Sequence, residues 1–227
     1  MTPVIPESPE YLSSVAAWRN AWRPRQVRVL LVAESHVGET EGDRGVRVTL
    51  PFHVEEAMPS TYCRLVYCLG YGEPGICHHS PASNRGTPQY WRIFADVAGM
   101  SPPTRALFPS LHDRVWHKLA ILRAMRDRGI WLVDASTTAL YRRGVPGKPK
   151  DYKQVIRTSW EREVWPSVST DPVLLTYVIG LGVQRALAGL PGLRNARVIT
   201  QPQDRTAGRH RDGLRELAEA IREIGVA

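Results

Sequence analysis

The sequence predicts an α/β fold, a four-stranded parallel sheet flanked by helices on both faces. Three observations carry that expectation. Four short runs rich in β-branched residues are apolar almost throughout rather than alternating, as strands buried on both faces are. Stretches with apolar residues at helical spacing lie between them, and strands alternating with helices build a parallel sheet covered on both sides. The chain has 227 residues, 43% hydrophobic and 23% charged, which is enough to bury one full core.

The elements follow in order. A helix is expected over 9–22, where Leu12, Val15, Trp18 and Trp22 recur at helical spacing and Ser8 is placed to cap. The first strand, 27–33, ends in the apolar run Val29 to Ala33 and meets Glu34-Ser35-His36 and Gly38 at once. Region 39–86 is punctuated by glycines and prolines and reads as loops with one short helix near 62–69. Loops of that length in compact domains are usually functional. A second helix is expected over 110–128, capped by Ser110 and stopped by Gly129. It leads into the strand IWLVD at 130–134 and then the loop RRGVPGKPKD. The third strand is VLLTYVI at 173–179, followed by a short helix over 182–190 that Pro191-Gly192 ends. The strand RVIT at 197–200 precedes a last helix over 209–223, with Leu214, Leu217, Ala218 and Ile221 on one stripe. No internal repeat and no long linker argues for a second domain, so one domain over 1–227 is expected.

In open parallel sheets the ligand site lies beyond the carboxyl ends of the strands. The residues leaving those ends are Glu34-Ser35-His36, Asp134-Ala135-Ser136, Gly180-Leu181-Gly182 and Gln201-Pro202-Gln203-Asp204. Polar side chains therefore gather at one mouth. The formal charge of +8 and pI of about 9.7 suit a polyanionic partner, the competing reading being a solvated basic surface. No apolar run approaches the roughly 20 residues of a membrane span. The start, MTPVIPESPEYL, lacks a basic region followed by an apolar one, so a cytoplasmic protein is expected.

Several chemistries fit the residues poorly. There is no G-x-x-x-x-G-K-[ST], and the exit of the first strand lacks the three glycines of a dinucleotide fingerprint. A serine nucleophile usually sits in G-x-S-x-G, whereas Ser35 has no flanking glycines and its histidine is its chain neighbour. Cys63, Cys68 and Cys77 precede His78 and His79, a set with zinc-binding atoms. Their spacing, C-x4-C-x8-C-H-H, has no C-x2-C pair, and a helix over 62–69 would turn Cys63 and Cys68 to different sides. Buried reduced thiols are the simpler reading, and neither a metal nor another cofactor is expected.

The succession RVLLVAES, WLVDAS, VIGLG and ITQPQDRTAGRHRDGLREL resembles the uracil-DNA glycosylase superfamily, over about residues 27–224. There one motif follows the first strand, as GQDPY, GMNPG or GEAPG, and a second follows the last strand, as HPSPLS. AESHV at 33–37 and QPQDRT at 201–206 occupy those places. The resemblance implies a three-layer sandwich and a hydrolase that excises a damaged base, uracil by default, from double- or single-stranded DNA as a monomer. By the same token Glu34 would act on water or the sugar, while Ser35 stands where other members carry a catalytic Asp or Asn. Asp134 would read the base edge, Gln201 would replace the histidine that donates to the leaving base, and Arg205 would be the wedge entering the duplex.

Independently of the family, excision needs a flipped base in a snug pocket, an aromatic platform and cations on the phosphates. Phe52 and Tyr62 are the candidate platforms, with core packing as their alternative role. Arg142, Arg143, Lys148 and Arg209 are the candidate phosphate contacts. A carboxylate such as Glu34 suits an oxocarbenium-like transition state; its alternative role, like that of Asp134, is to satisfy turn amides beyond a strand. The rival expectation is a protein of this fold that binds damaged or abasic DNA without cutting.

Overall fold

The structure, a computed structural model, describes residues 7–81, 83–141, 149–201 and 207–225. Its centre is a four-stranded, all-parallel sheet of β1 (Val29–Ala33), β2 (Ile130–Asp134), β3 (Leu175–Ile179) and β4 (Arg197–Ile199), in the order β2-β1-β3-β4. Each strand falls inside the range expected of it, because a strand buried on both faces has no polar alternation to blur the signal. Every residue of β1 and β2 is buried, whereas β4, at the edge, is exposed at its start.

Helix α1 (Pro9–Ala21) starts where Ser8 accepts the Tyr11 N–H, and its buried face carries Tyr11, Val15 and Trp18. Helix α2 (Pro88–Ala98) is an element the pattern reading did not anticipate. Helix α3 (Leu111–Asp127) is capped by Ser110, which accepts the Asp113 N–H, and ends before Gly129. A long helical segment then runs from α4 (Tyr152–Ser159) through a π-helical turn at Trp160–Val164 into α5 (Trp165–Val168). Helices α6 (Leu181–Leu187) and α7 (Ala207–Glu223) complete the chain. Helix α3 packs on β2 and α7 on β4, with α2 in contact with both helices, while α4 packs on α6, which covers β3. The result is a three-layer sandwich. No helix among the described residues is long and apolar enough to cross a membrane.

The insertion after β1 differs most from expectation. Residues 62–69 form successive turns rather than a helix. Gly70, Gly72, Pro74 and Gly75 follow the segment directly, and long-range contacts hold it instead of a local hydrogen-bond ladder. Tyr62, Leu65, Tyr67 and Leu69 are all buried. Tyr67 seals the free edge of β2, its hydroxyl accepting the Leu132 N–H at 2.8 Å, which is one way to blunt an unpaired strand. Arg64 forks onto Asp43 at 2.7 and 2.8 Å inside the insertion. Glu73 reaches Arg114 and Lys118 of α3 at 2.8 and 2.9 Å. Because the segment is not a helix, Cys63 and Cys68 are buried together, and burial pushes the Cys63 thiol well up and Cys77 up to about 12. Among the described residues no cluster of three His, Cys, Asp or Glu has the geometry to hold a metal ion.

Candidate functional site

The carboxyl ends of the strands open on a cavity of about 170 Å³. Glu34 and Ser35 enter it from the exit of β1, Ile179 from the end of β3, and Gln201 from just beyond β4. Tyr141 closes one side from the segment after β2, and α2 contributes Gln89, Tyr90 and Ile93. Two tyrosine rings and two isoleucines with a few convergent polar groups are the makings of a site for a flat, partly polar ligand.

The walls are wired to one another. The Ala135 N–H donates to the Ala33 carbonyl and the Ser136 N–H to the Glu34 carbonyl, carrying the β1–β2 pairing past the end of the sheet. Leu140 N–H then donates to Ser35 Oγ at 3.2 Å, and Gly38 N–H to the Tyr141 carbonyl at 3.0 Å. Glu7, before α1, takes the Ala139 N–H with one carboxylate oxygen and meets His36 Nε2 with the other, both at 2.8 Å. Tyr141 is thus held against the exit of β1 by contacts from three parts of the chain. On the far wall Gly180 has φ +106°, and a Cβ there would stand 3.0 Å from Gln201 Nε2. A residue without a side chain at that point lets Gln201 lie across the end of β3.

Glu34 is the carboxylate of this cavity. It is 8% exposed, and the Tyr152 hydroxyl at the start of α4 donates to it in a short hydrogen bond. Burial first, and the adjacent carboxylate second, push the Tyr152 hydroxyl far above the ordinary phenol range, so it remains a donor at neutral pH. Tyr90 and Tyr141 are raised as well, chiefly by burial, with the charges of Glu34 and Asp134 adding to the effect.

Of the residues singled out from sequence, Glu34, Ser35 and Gln201 meet here. Asp134 does not line the cavity: its carboxylate is 2.6 Å from Arg19 of α1 and 3.8 Å from His36 Nδ1, with only 3% of it exposed. It is a structural ion pair whose charge is felt in the cavity at a distance. Phe52 and Tyr62 are not platforms. Phe52 packs edge-on against His112 and Trp116 of α3, both centroids 5.0 Å away. Tyr62 is 1% exposed, and its hydroxyl donates to Asn84 Oδ1 at 3.3 Å. The reason is that the insertion folds over β2 and α3 and leaves the mouth open. Ser35 is occupied too, its hydroxyl donating to the His36 carbonyl at 2.9 Å while accepting from Leu140. Arg142, Arg143, Lys148 and Arg205 lie outside the described residues, as does the side chain of Arg209.

Pattern reading missed Gln89, Tyr90, Tyr141 and Tyr152. For α2 the signal was present in Thr87-Pro88, since proline at the first helical position is a start marker. For Tyr141 and Tyr152 only their places at either end of the basic loop pointed to the mouth. No known protein-family model matches the chain, and no curated protein is similar to it.

Proposed function

We propose that this cavity receives a base flipped out of DNA and that the protein is a cytoplasmic, monomeric DNA N-glycosylase, with uracil as the first base to test. The observation that carries the reading is Glu34. A buried carboxylate, held by a tyrosine hydroxyl, stands at the floor of a cavity walled by aromatic rings and amides at the carboxyl end of a parallel sheet. Tyr90 and Tyr141 are the aromatic faces available to the base, in place of Phe52 and Tyr62. Gln89 and Gln201 each offer an amide N–H to a carbonyl oxygen of the base, which takes up charge as the bond to the sugar breaks. Glu34 stabilises the positive sugar or activates the attacking water. Tyr152 orients that carboxylate and takes no proton from it. The basic balance of the chain supports a phosphate-bearing partner.

Single-turnover assays on duplexes containing uracil, hypoxanthine, xanthine or an abasic site test this directly. Release of a base from one of them, lost in Glu34→Ala while binding persists, is the expected result. Binding to no DNA at low salt would sink the proposal. One observation favours the second reading, a binder of damaged or abasic DNA: the hydroxyl after Glu34 is already committed to two backbone partners. Tight abasic binding without release of any base selects that alternative.

A further inference from the structure

A second cavity, of about 260 Å³, lies on the other side of the first turn of α2. That turn is a partition. Gln89 and Tyr90 face the cavity of Glu34, while Thr87, Trp91 and Arg92 line this one.

Two residues of its wall, Thr87 and Trp91, each carry a buried polar atom left unpaired among the described residues. Thr87 occupies the capping position of α2, yet its hydroxyl caps nothing, and its buried Oγ1 has no hydrogen-bond partner among the described residues. Trp91 is 4% exposed, and its indole Nε1 is likewise buried without a partner among the described residues. Buried polar groups are nearly always paired, so two orphans on residues of one cavity wall call for an explanation. The indole can only donate and the hydroxyl can donate, so the missing partner is an acceptor.

The charge around them says what kind. Arg85, Arg92 and Arg105 line the cavity, are exposed, and form no ion pair among the described residues. Deeper in, Glu73 is the one carboxylate among the described residues of the lining, and it is shared between Arg114 and Lys118. Lys118 also lies 5.0 Å above the Trp91 ring. Cations therefore outnumber the carboxylate at every depth, and the N-terminal end of an 11-residue helix adds its dipole. The opposite wall is brought close by two glycines. Gly86 has φ +62°, and a Cβ on it would stand 2.8 Å from the Gly72 Cα, so the chain on either side of the cavity crosses with no side chain between.

We infer that this cavity binds a phosphate group, namely a backbone phosphodiester of the strand whose base enters the cavity of Glu34. The assignment of the strand rests on the proposed function; the anion site rests on the orphaned donors and the arginines. Trp91 and Thr87 donate to the phosphate oxygens, and Arg92 and Arg105 neutralise the charge from the rim.

Indole N–H resonances of the ¹⁵N-labelled protein provide the test. Trp91→Phe assigns the Trp91 signal among the seven tryptophans while keeping a ring over Lys118. The protein is titrated with an undamaged single-stranded oligonucleotide and, separately, with inorganic phosphate. The expected result is a shift of the Trp91 indole with the oligonucleotide. In parallel, Arg92→Ala with Arg105→Ala should weaken oligonucleotide binding severalfold and flatten its logarithmic salt dependence by about 0.7 for each phosphate no longer neutralised. These rim variants give a readout even if Trp91→Phe fails to fold. A Trp91 signal moved by neither titrant, with unchanged salt dependence in the rim variants, overturns the site even in a protein that excises bases. A shift with inorganic phosphate alone overturns the strand assignment. A shift with the oligonucleotide in a protein that excises nothing upholds the site and removes the glycosylase.

Discussion

Two neighbouring strands leave the sheet with a carboxylate at each exit, and the two carboxylates have different fates. Asp134 ends β2 in register with Ala33 of β1, so Glu34 lies one residue beyond it along the pairing. Successive residues of a strand alternate faces, and a one-residue offset is enough to give them different neighbours. Asp134 meets Arg19 and His36 and becomes part of the scaffold. Glu34 meets a tyrosine hydroxyl and an open cavity. The lesson is that a polar strand end is a candidate for chemistry only when the residues packed on it leave one face open.

Substitutions that separate the two roles should do so in graded fashion. The largest effect belongs to Glu34→Gln, which keeps shape and removes charge. Single-turnover base release should fall by roughly 10² to 10⁴, with the denaturation midpoint little changed. Equal activity in the variant would end the assignment of Glu34. Asp134→Asn should show the opposite profile. Removing one partner of a buried ion pair costs about 3 kcal/mol, the lower end because Arg19 keeps some exposure to water, and a urea melt would read it. If Asp134→Asn instead left stability intact and abolished base release, the division of roles between the two carboxylates would be reversed.

Smaller effects sharpen the contrast. Tyr152→Phe removes the donor to Glu34 without emptying space, and base release should drop about tenfold, as for loss of one hydrogen bond to a charged group. Measuring rate and binding apart checks it, since an orienting group should leave DNA affinity near wild type. The smallest change is expected at Glu56, a carboxylate far from the mouth. Its bidentate hydrogen bonds from Arg123 hold it at about 2, below its ordinary value of 4.5. A depressed carboxylate stabilises the fold above its unfolded value and loses that contribution as pH falls from about 4.5 towards 2. For a pair this near the surface the amount is below about 1 kcal/mol. Melting temperatures of Glu56→Gln and wild type should therefore converge across that window; a constant gap between them would show that the pair is not charge-driven.

Much of the scaffold was legible in local pattern, and the misses are instructive. The four strands, α1 and α3 were readable because apolar runs and Ser caps are local signals. Helix α2 was hidden by the glycines and prolines that precede it, although Trp91, Phe94 and Val97 recur at helical spacing. The segment Tyr152 to Val168 was hidden for a different reason. Its π-helical turn shifts the apolar stripe out of the 3.6-residue period, and Pro166 reads as a breaker although it sits within the first turn of α5. In the site, Glu34, Ser35 and Gln201 were visible as strand-end polar residues. The aromatic walls of the cavity were not, since Phe52 and Tyr62 are the first phenylalanine and tyrosine after Glu34 along the chain, whereas Tyr90 and Tyr141 line its cavity.

The amino-acid sequence by itself determined the parallel sheet, its polar mouth and the basic balance of the molecule, because these follow from apolar runs, strand ends and composition. The tertiary structure decided which carboxylate faces a cavity, which tyrosines enclose it, and which arginines form no ion pair among the described residues. Those outcomes turn on contacts such as Arg19 with Asp134, 115 residues apart, and Tyr152 with Glu34, 118 apart. No local pattern encodes such pairs. They form only when sheet register and helix packing bring distant segments together, and a shift of one residue in that register would exchange the carboxylate that holds the fold for the one that faces the cavity.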